Sequence, residues 1–317
     1  MRFSVIIPLY NKGPYVKKAI QSVLDQTFKD YEIIVIDDGS TDDSYEIAKA
    51  VLDGALIKNQ LVQQENAGVS TARNNGVTLS TGDYICFLDA DDWWAPRFLE
   101  RLDWLICAFP DAGIYGTNYY YVKNGSMRVC VKGAETGYIN YCKVYADGMS
   151  MPLSSISVGI PRAVFEHQRG FKSHLRFGED FDLWIRIALS ERVVFLNEPL
   201  AYYNQDVDPL WRGIGHLVSP EVHMLWNLDY LSEEEEKNPD YKQLIDRLRV
   251  HSLMSYYISC QYREAARKEL MKVDWSGQPP RIRVLYKLPI LVLKGRRSFL
   301  RFGSGIKQWL KRHQIGV

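Results

Sequence analysis

The 317-residue chain is predicted to form an α/β fold with a mostly parallel sheet and flanking helices, followed in sequence by a helical C-terminal region. In the first third of the chain, short apolar segments alternate four times with amphipathic helical patterns. Such alternation is typical of right-handed crossovers between parallel strands, with helices on both faces of the sheet. Polar and acidic residues follow the apolar segments, at the carboxyl edge where sheets of this kind bind ligands.

The predicted strands are short segments bounded by turn residues, and all but the third are apolar runs. They cover residues 3–7, 31–36, 60–64 and 84–88, and Pro8 is expected to end the first because proline donates no ladder hydrogen bond. Besides the helix that follows the first strand, helices are predicted through Leu52 and over residues 70–79 and 97–109. The first helix is the clearest, because its apolar residues recur with helical spacing: Val16, Ala19, Ile20, Val23 and Leu24.

Three carboxylates, Asp89, Asp91 and Asp92, follow the strand at 84–88 within four residues. Carboxylates that repel one another at the end of a buried strand are costly unless a positive group lies between them. A divalent cation such as Mn²⁺ or Mg²⁺ fits, because hard ions prefer oxygen ligands. The alternative is that Asp91 and Asp92 only cap the next helix.

Composition and charge narrow the class of protein. The net charge of +1 indicates no nucleic-acid partner. From Trp275 onward there are ten Lys/Arg and no Asp/Glu, which leaves 29 basic and 38 acidic residues before it and marks the tail as a basic appendage. Five scattered cysteines favour a reducing compartment over a disulfide framework. We find no signal peptide and no apolar window of membrane-spanning length, and expect the chain on the cytosolic side.

The predicted ligand crevice is acidic and has no glycine-rich phosphate loop of the dinucleotide-binding or P-loop type. Acidic loops hold phosphate only through a bridging cation, which offsets both negative partners. The sequence therefore predicts metal-assisted binding of a diphosphate.

Five segments resemble the family 2 glycosyltransferases of the GT-A fold over about residues 1–205. They are SVIIPLYN at 4–11, VIDDGSTD at 35–42, ENAGVSTARNNG at 65–76, FLDADDWW at 87–94 and SVGIPRAVFEHQRGFKSHLRFGEDFDLWIRIA at 157–188. Several motifs in one order are far more specific than a lone D-x-D.

This resemblance implies an inverting, non-processive transferase that uses a nucleotide-diphosphate sugar, with uridine the favoured base. It implies a glycan or lipid-linked saccharide as acceptor. Pro8 and Tyr10 would line the base pocket, with Asp38 on the base or ribose and Asp37 beside it. The remaining implied roles are Arg73 near the nucleotide, Asp89 facing the ribose or sugar, and Asp91 as metal ligand. For Arg73, a salt bridge to one of these aspartates is an equal alternative.

Helical geometry selects between the carboxylates of the segment Phe177–Trp184. Asp180 shares a face with Leu183 and Trp184, whereas Asp182 pairs at i, i+4 with Arg186 on an expected solvated face. Inverting transfer needs a carboxylate to take the acceptor's proton, and the family places its base at this acidic pair. We expect Asp180 to be the base and Glu179 to orient the acceptor, and an N-terminal cap is the alternative for Asp180.

The chain is expected to comprise a GT-A catalytic domain over residues 1–218 and a helical region over 219–317. In the second, residues 281–313 combine apolar spacing with basic residues and predict a peripheral contact with an anionic membrane surface on the inner face of the plasma membrane. The alternative is that this stripe packs on the catalytic domain. Two other function classes stay open: a sugar-1-phosphate nucleotidyltransferase and a non-catalytic scaffold on the membrane surface.

Overall fold

The structure is a computed structural model that describes residues 1–207 and 217–294. The chain forms two compact units, Met1–Glu233 and Glu234–Val317. The strands of the first unit are β1 Phe3–Leu9, β2 Tyr31–Asp37, β3 Asn59–Gln63, β4 Tyr84–Phe87, β5 Trp93–Trp94, β6 Ile114–Lys123, β7 Ser126–Val129, β8 Gly137–Ile139, β9 Val158–Pro161 and β10 Val193–Asn204.

The helices of the chain follow the predicted order in the first third. They are α1 Gly13–Leu24, α2 Ser44–Leu52, α3 Val69–Leu79, α4 Phe98–Ala108, α5 Tyr141–Gly148, α6 Arg162–His167, α7 Glu179–Ser190, α8 Ser232–Lys237, α9 Pro239–Ser252, α10 Met254–Ile258, α11 Arg263–Met271 and α12 Pro280–Lys287.

The sheet is mixed, with the order β3-β2-β1-β4-β9-β6-β10-β5, and β7 and β8 pair with β6 and β10. Its first four strands are parallel, as predicted. Beyond them, β9 runs antiparallel to both β4 and β6. Parallel pairing returns between β6 and β10, so β9 is an antiparallel strand between two groups of parallel strands.

Pro8 does not end the first strand, contrary to the prediction. β1 continues to Leu9 and pairs with β2 over its whole length. Pairing with β4 stops at Ile6, so on that side Pro8 has no neighbouring strand that needs a donor. The extra residues carry the chain to the carboxyl edge of the sheet.

The two faces of β1 pack differently because its side chains alternate. Val5 and Ile7 join the core that contains the buried stripe of α1. On the other face Ile6 meets α3, where a Cβ on Gly76 would lie 2.4 Å from Ile6 Cγ2. Gly76 thus permits the close approach of α3, the helix that carries Arg73.

The region predicted to be helical, 219–317, begins instead with three 3₁₀ turns, Pro220–Val222, Met224–Trp226 and Asp229–Leu231. The turns are fixed by side-chain packing, including the stacking of His223 on Phe177 with ring centroids 4.6 Å apart. Local apolar spacing does not reveal such a contact with a distant segment.

The second unit is held partly by a buried ion-pair cluster. The Arg249 guanidinium pairs with Glu235, Asp246 and Glu269. Of the predicted membrane-binding tail, residues 281–294 are described, and the remainder, including Phe299 and Trp309, lies outside the described residues. Among the described residues, none of the helices has the length and apolarity to cross a membrane.

Candidate functional site

The loop after β1 is bent by a left-handed residue and fastened to the loop after β2. Asn11 adopts φ 49°, a conformation that asparagine tolerates better than most residues. Its Oδ1 accepts a hydrogen bond from the Thr41 amide at 2.8 Å. Pro8 is buried within β1, whereas the neighbouring Tyr10 is 46% exposed and available to a ligand.

Both aspartates at the end of β2 are buried and engaged in hydrogen bonds. Asp37 Oδ2 accepts from Gln63 Nε2 at 2.8 Å. The Asp38 carboxylate accepts from the amides of Ala67 and Gly68, each at 2.8 Å, and from Gln64 Nε2 at 2.7 Å. These hydrogen bonds hold the loop before α3 in place. Asp38 therefore supports this loop, a role that the sequence did not predict for it.

Arg73 connects two of the predicted site residues. Its buried guanidinium donates to Asp89 Oδ1 at 2.7 Å and to Glu179 Oε1 at 3.1 Å. The salt-bridge alternative is thus present, and it joins the loop after β4 to the first turn of α7. Charge-assisted bonds of this kind fix geometry as well as contributing energy.

Each carboxylate after β4 has a partner within the chain. Asp89 pairs with Arg73, and Asp91 Oδ2 accepts from Lys12 Nζ at 2.7 Å. Asp92 is buried and accepts from the Asn204 amide at 2.7 Å. Cationic side chains of the chain itself thus pair with Asp89 and Asp91, whereas Asp92 accepts a hydrogen bond from a backbone amide. Lys12 is the residue that the sequence reasoning missed here; its only signal was its place in the loop after the first strand.

Asp180 lies in the first turn of α7, as predicted, but it is only part-buried and less buried than Asp182. Burial, together with the negative charge of Glu179, raises its pKa to about 7, while the charge of Arg73 acts in the opposite direction. Ser155 Oγ lies 3.5 Å from Asp180 Oδ2, a neighbour that no sequence pattern indicated. A carboxylate with a pKa near neutrality suits proton transfer at ordinary pH.

The expectation that Asp182 faces solvent is wrong. Its ion pair with Arg186 forms at 2.9 Å, but Asp182 is fully buried because Lys172 and Tyr230 also donate to it. Helical periodicity placed Asp182 off the apolar stripe, yet three donors from other positions satisfy its carboxylate in the interior.

The residues at the carboxyl edge fit a divalent cation only in part. Within residues 1–207 and 217–294, no three His, Cys, Asp or Glu side chains lie close enough to form a protein cage. Asp91 is a single carboxylate beside the expected diphosphate position. Because Mg²⁺ is commonly held by one or two carboxylates plus substrate phosphates, Asp91 fits an ion whose shell a diphosphate completes.

The sequence of the chain is similar to a known protein family and to curated proteins of that kind. Residues 4–132 match the family model described as glycosyl transferase family 2. Glycosyltransferase GlyA of Streptococcus pneumoniae is 34% identical over 257 residues, which is 74% of this chain and 36% of that protein. The uncharacterized glycosyltransferase YibD of Escherichia coli is 46% identical over 101 residues, or 32% of this chain and 29% of that protein.

Solved structures agree in fold. S. aureus TarS 1–349 in complex with UDP-GlcNAc has a TM-score of 0.72 at 20% identity and covers 90% of this chain and 84% of its own. The mannosyltransferase PcManGT from Pyrobaculum calidifontis, in complex with GDP-Man and Mn²⁺, has a TM-score of 0.57 at 17% identity, covering 98% and 83%.

The fold is thus that of the GT-A glycosyltransferases, an α/β sheet with its acidic loops at the carboxyl edge. The chain belongs to glycosyl transferase family 2. It spans about a third of the length of the two curated relatives named above.

Proposed function

We propose that the chain transfers one sugar, with inversion, from a UDP-sugar to a hydroxyl of a glycan or lipid-linked saccharide. The observation that carries this proposal is the position of Asp180: a part-buried carboxylate of raised pKa beside the Asp89–Arg73–Glu179 chain of ion pairs. This position supports Asp180 as the proton acceptor, because ligands of such folds bind at the carboxyl edge of the sheet.

On the donor side, we assign Tyr10 and Pro8 to the wall of the base pocket. Asp38 supports this pocket by holding the amides of Ala67 and Gly68, with Asp37 buried behind it. Asp89, held by Arg73, faces the ribose or sugar. A divalent cation, Mn²⁺ or Mg²⁺, bound by Asp91 would neutralise charge on the diphosphate leaving group.

On the acceptor side, Asp180 takes the proton of the attacking hydroxyl. The hydroxyl oxygen forms a bond to the anomeric carbon as the bond from that carbon to the diphosphate oxygen breaks, and nucleoside diphosphate leaves. Glu179 orients the acceptor while it remains paired with Arg73. Because attack and departure occur on opposite faces of the sugar, the product has the inverted configuration.

The proposal that the donor carries uridine rests on one solved structure and can be tested directly. TarS, which shares the fold, was solved with UDP-GlcNAc. We expect UDP and UDP-sugars with Mn²⁺ to raise the unfolding temperature of the protein more than GDP or GDP-mannose at equal concentration. Slow release of UDP from a UDP-sugar supports a transferase; release of pyrophosphate from UTP and a sugar phosphate would instead support the nucleotidyltransferase alternative.

We further propose that the tail attaches the enzyme to an anionic membrane surface on its cytosolic side. Within the described residues, Leu291 and Val292 are 82% and 51% exposed, and the same stretch of sequence carries Arg283, Lys287 and Lys294. Basic residues near an anionic surface contribute about 1 kcal/mol each. Full-length protein should co-sediment with anionic liposomes at low salt and be released by high salt, whereas a version ending at Gln278 should not bind. Equal binding of both versions would contradict the proposal.

A further inference from the structure

Lys12 and Asp91 form an ion pair between the loops after β1 and β4. Lys12 Nζ lies 2.7 Å from Asp91 Oδ2, and the two side chains are 15% and 17% exposed. Contacts that are this well screened from water are stronger than pairs on the open surface. The pair lies where the proposed function places the diphosphate and its cation.

The backbone around Lys12 is fixed by the loop after β2. Asn11 has a left-handed conformation, and its side chain accepts from the Thr41 amide. The Lys12 amide donates to Ser44 Oγ at 2.7 Å, and the Lys12 carbonyl accepts the first-turn amides of α1. With both flanks held, the direction of the Lys12 side chain toward Asp91 is a built feature of the fold.

This arrangement disfavours a cation on Asp91 before the donor arrives. Asp91 is the only carboxylate that we assign to the ion, and its Oδ2 is engaged by an ammonium group. Without phosphate, a cation that displaced Lys12 would gain only one protein ligand, the Asp91 carboxylate. Mg²⁺ and Mn²⁺ prefer about six oxygen ligands. A bound diphosphate removes both obstacles to cation binding. It supplies further oxygen ligands for the ion, and it offers Lys12 a new anionic partner in place of Asp91.

We propose that Lys12 is a counter-ion switch: it neutralises Asp91 in the donor-free protein and transfers to the diphosphate when nucleotide and cation bind. The chain then takes up divalent cation and nucleoside diphosphate as a cooperative pair. This inference rests on the proposed function, because it requires a nucleoside diphosphate at this edge of the sheet. Thermodynamic linkage makes the effect reciprocal, so each ligand raises the affinity of the other by the same factor.

The test uses full-length protein, UDP and Mn²⁺, with free Mn²⁺ measured by electron paramagnetic resonance and UDP binding by calorimetry. Both titrations are corrected for the Mn²⁺–UDP complex in solution. We expect saturating UDP to raise the Mn²⁺ affinity of the wild-type protein about tenfold or more, within the usual range of coupling between sites. Lys12→Met should bind Mn²⁺ alone several-fold more tightly than wild type, and UDP more weakly.

Two variants serve as controls. Lys17→Met removes the same charge from an exposed position of α1 and should match wild type. Lys12→Arg keeps the cation and should retain the linkage, which separates loss of charge from a disturbed fold.

The outcomes separate the inference from the proposed function. If Lys12→Met binds Mn²⁺ alone no more tightly than wild type while UDP still binds, the switch is wrong and the proposed function survives. If wild-type protein binds no UDP with or without Mn²⁺, the proposed function fails, and this inference fails with it.

Discussion

Arg73 donates a hydrogen bond to Glu179 at 3.1 Å, across 106 residues of sequence. The same guanidinium donates to Asp89, so a single buried side chain of α3 positions a residue of the proposed donor site and the first turn of α7. Asp180, the next residue after Glu179, is therefore held relative to Asp89 by a rigid, charge-assisted connection. This connection makes the behaviour of Asp180 depend on Glu179.

Replacing Glu179 with Gln should shift the pH dependence of transfer. The variant removes a negative charge that raises the pKa of Asp180 and leaves the charge of Arg73, which lowers it. Because the base acts in its ionised form, the acidic limb of kcat/KM, with a midpoint near pH 7 in wild type, should move down by about one pH unit. Glu166→Gln, at an exposed carboxylate, should leave the midpoint in place. An upward shift for Glu179→Gln would contradict this account.

Asp180→Asn should stabilise the protein at alkaline pH. The folded-state pKa of Asp180, about 7, lies above the usual value near 4 of an unfolded chain. Between these values the folded state binds the proton more tightly, so the wild type loses stability as pH rises through that window. Asparagine does not ionise. The free energy of unfolding of the variant minus that of wild type should therefore be about 1–3 kcal/mol larger at pH 8 than at pH 4.

Urea unfolding of both proteins at the two pH values measures this gain. Comparing the two pH values cancels any constant effect of the amide on the Phe181 amide hydrogen bond. If the stability of the variant relative to wild type instead falls between pH 4 and pH 8, the environment of Asp180 does not disfavour its charged form.

Asp38→Asn should loosen the loop before α3 even without ligand. The carboxylate accepts from the amides of Ala67 and Gly68, and an asparagine offers one acceptor oxygen and turns an NH₂ group toward a donor. We expect a loss of about 1–3 kcal/mol in stability, and weaker UDP binding as a consequence. Hydrogen exchange of these two amides in the free protein should accelerate. Unchanged exchange with weaker UDP binding would instead assign Asp38 to direct contact with the nucleotide.

The first half of the sheet was predictable because its elements are local. β1, β2 and β4 are apolar runs bounded by turn residues, and α1 carries its apolar residues at helical spacing. The second half depends on distant pairing. β5 is only Trp93–Trp94 and exists because these residues pair with Tyr202 and Ala201 of β10, which no local pattern reveals.

The sequence predicted which acidic residues lie at the candidate site. It did not predict which side chains pair with them. The carboxylates stood out by their position after strands. The identity of the neutralising groups did not, because Lys12 and Asp91 are 79 residues apart and Arg73 and Glu179 are 106 apart. The burial of Asp182 was missed for the same reason, since Lys172 and Tyr230 reach it from other segments.

The most direct test of the central proposal is the rate of UDP release by Asp180→Asn, with UDP-sugar and acceptor present, together with its affinity for UDP. Removing a general base usually lowers the rate by about 100-fold or more. We therefore predict a loss of that size with UDP affinity within about twofold of wild type, and no loss in Asp83→Asn, which alters an exposed aspartate. Wild-type turnover in Asp180→Asn, with UDP bound normally, would contradict the assignment and move the base to Glu179 or another residue.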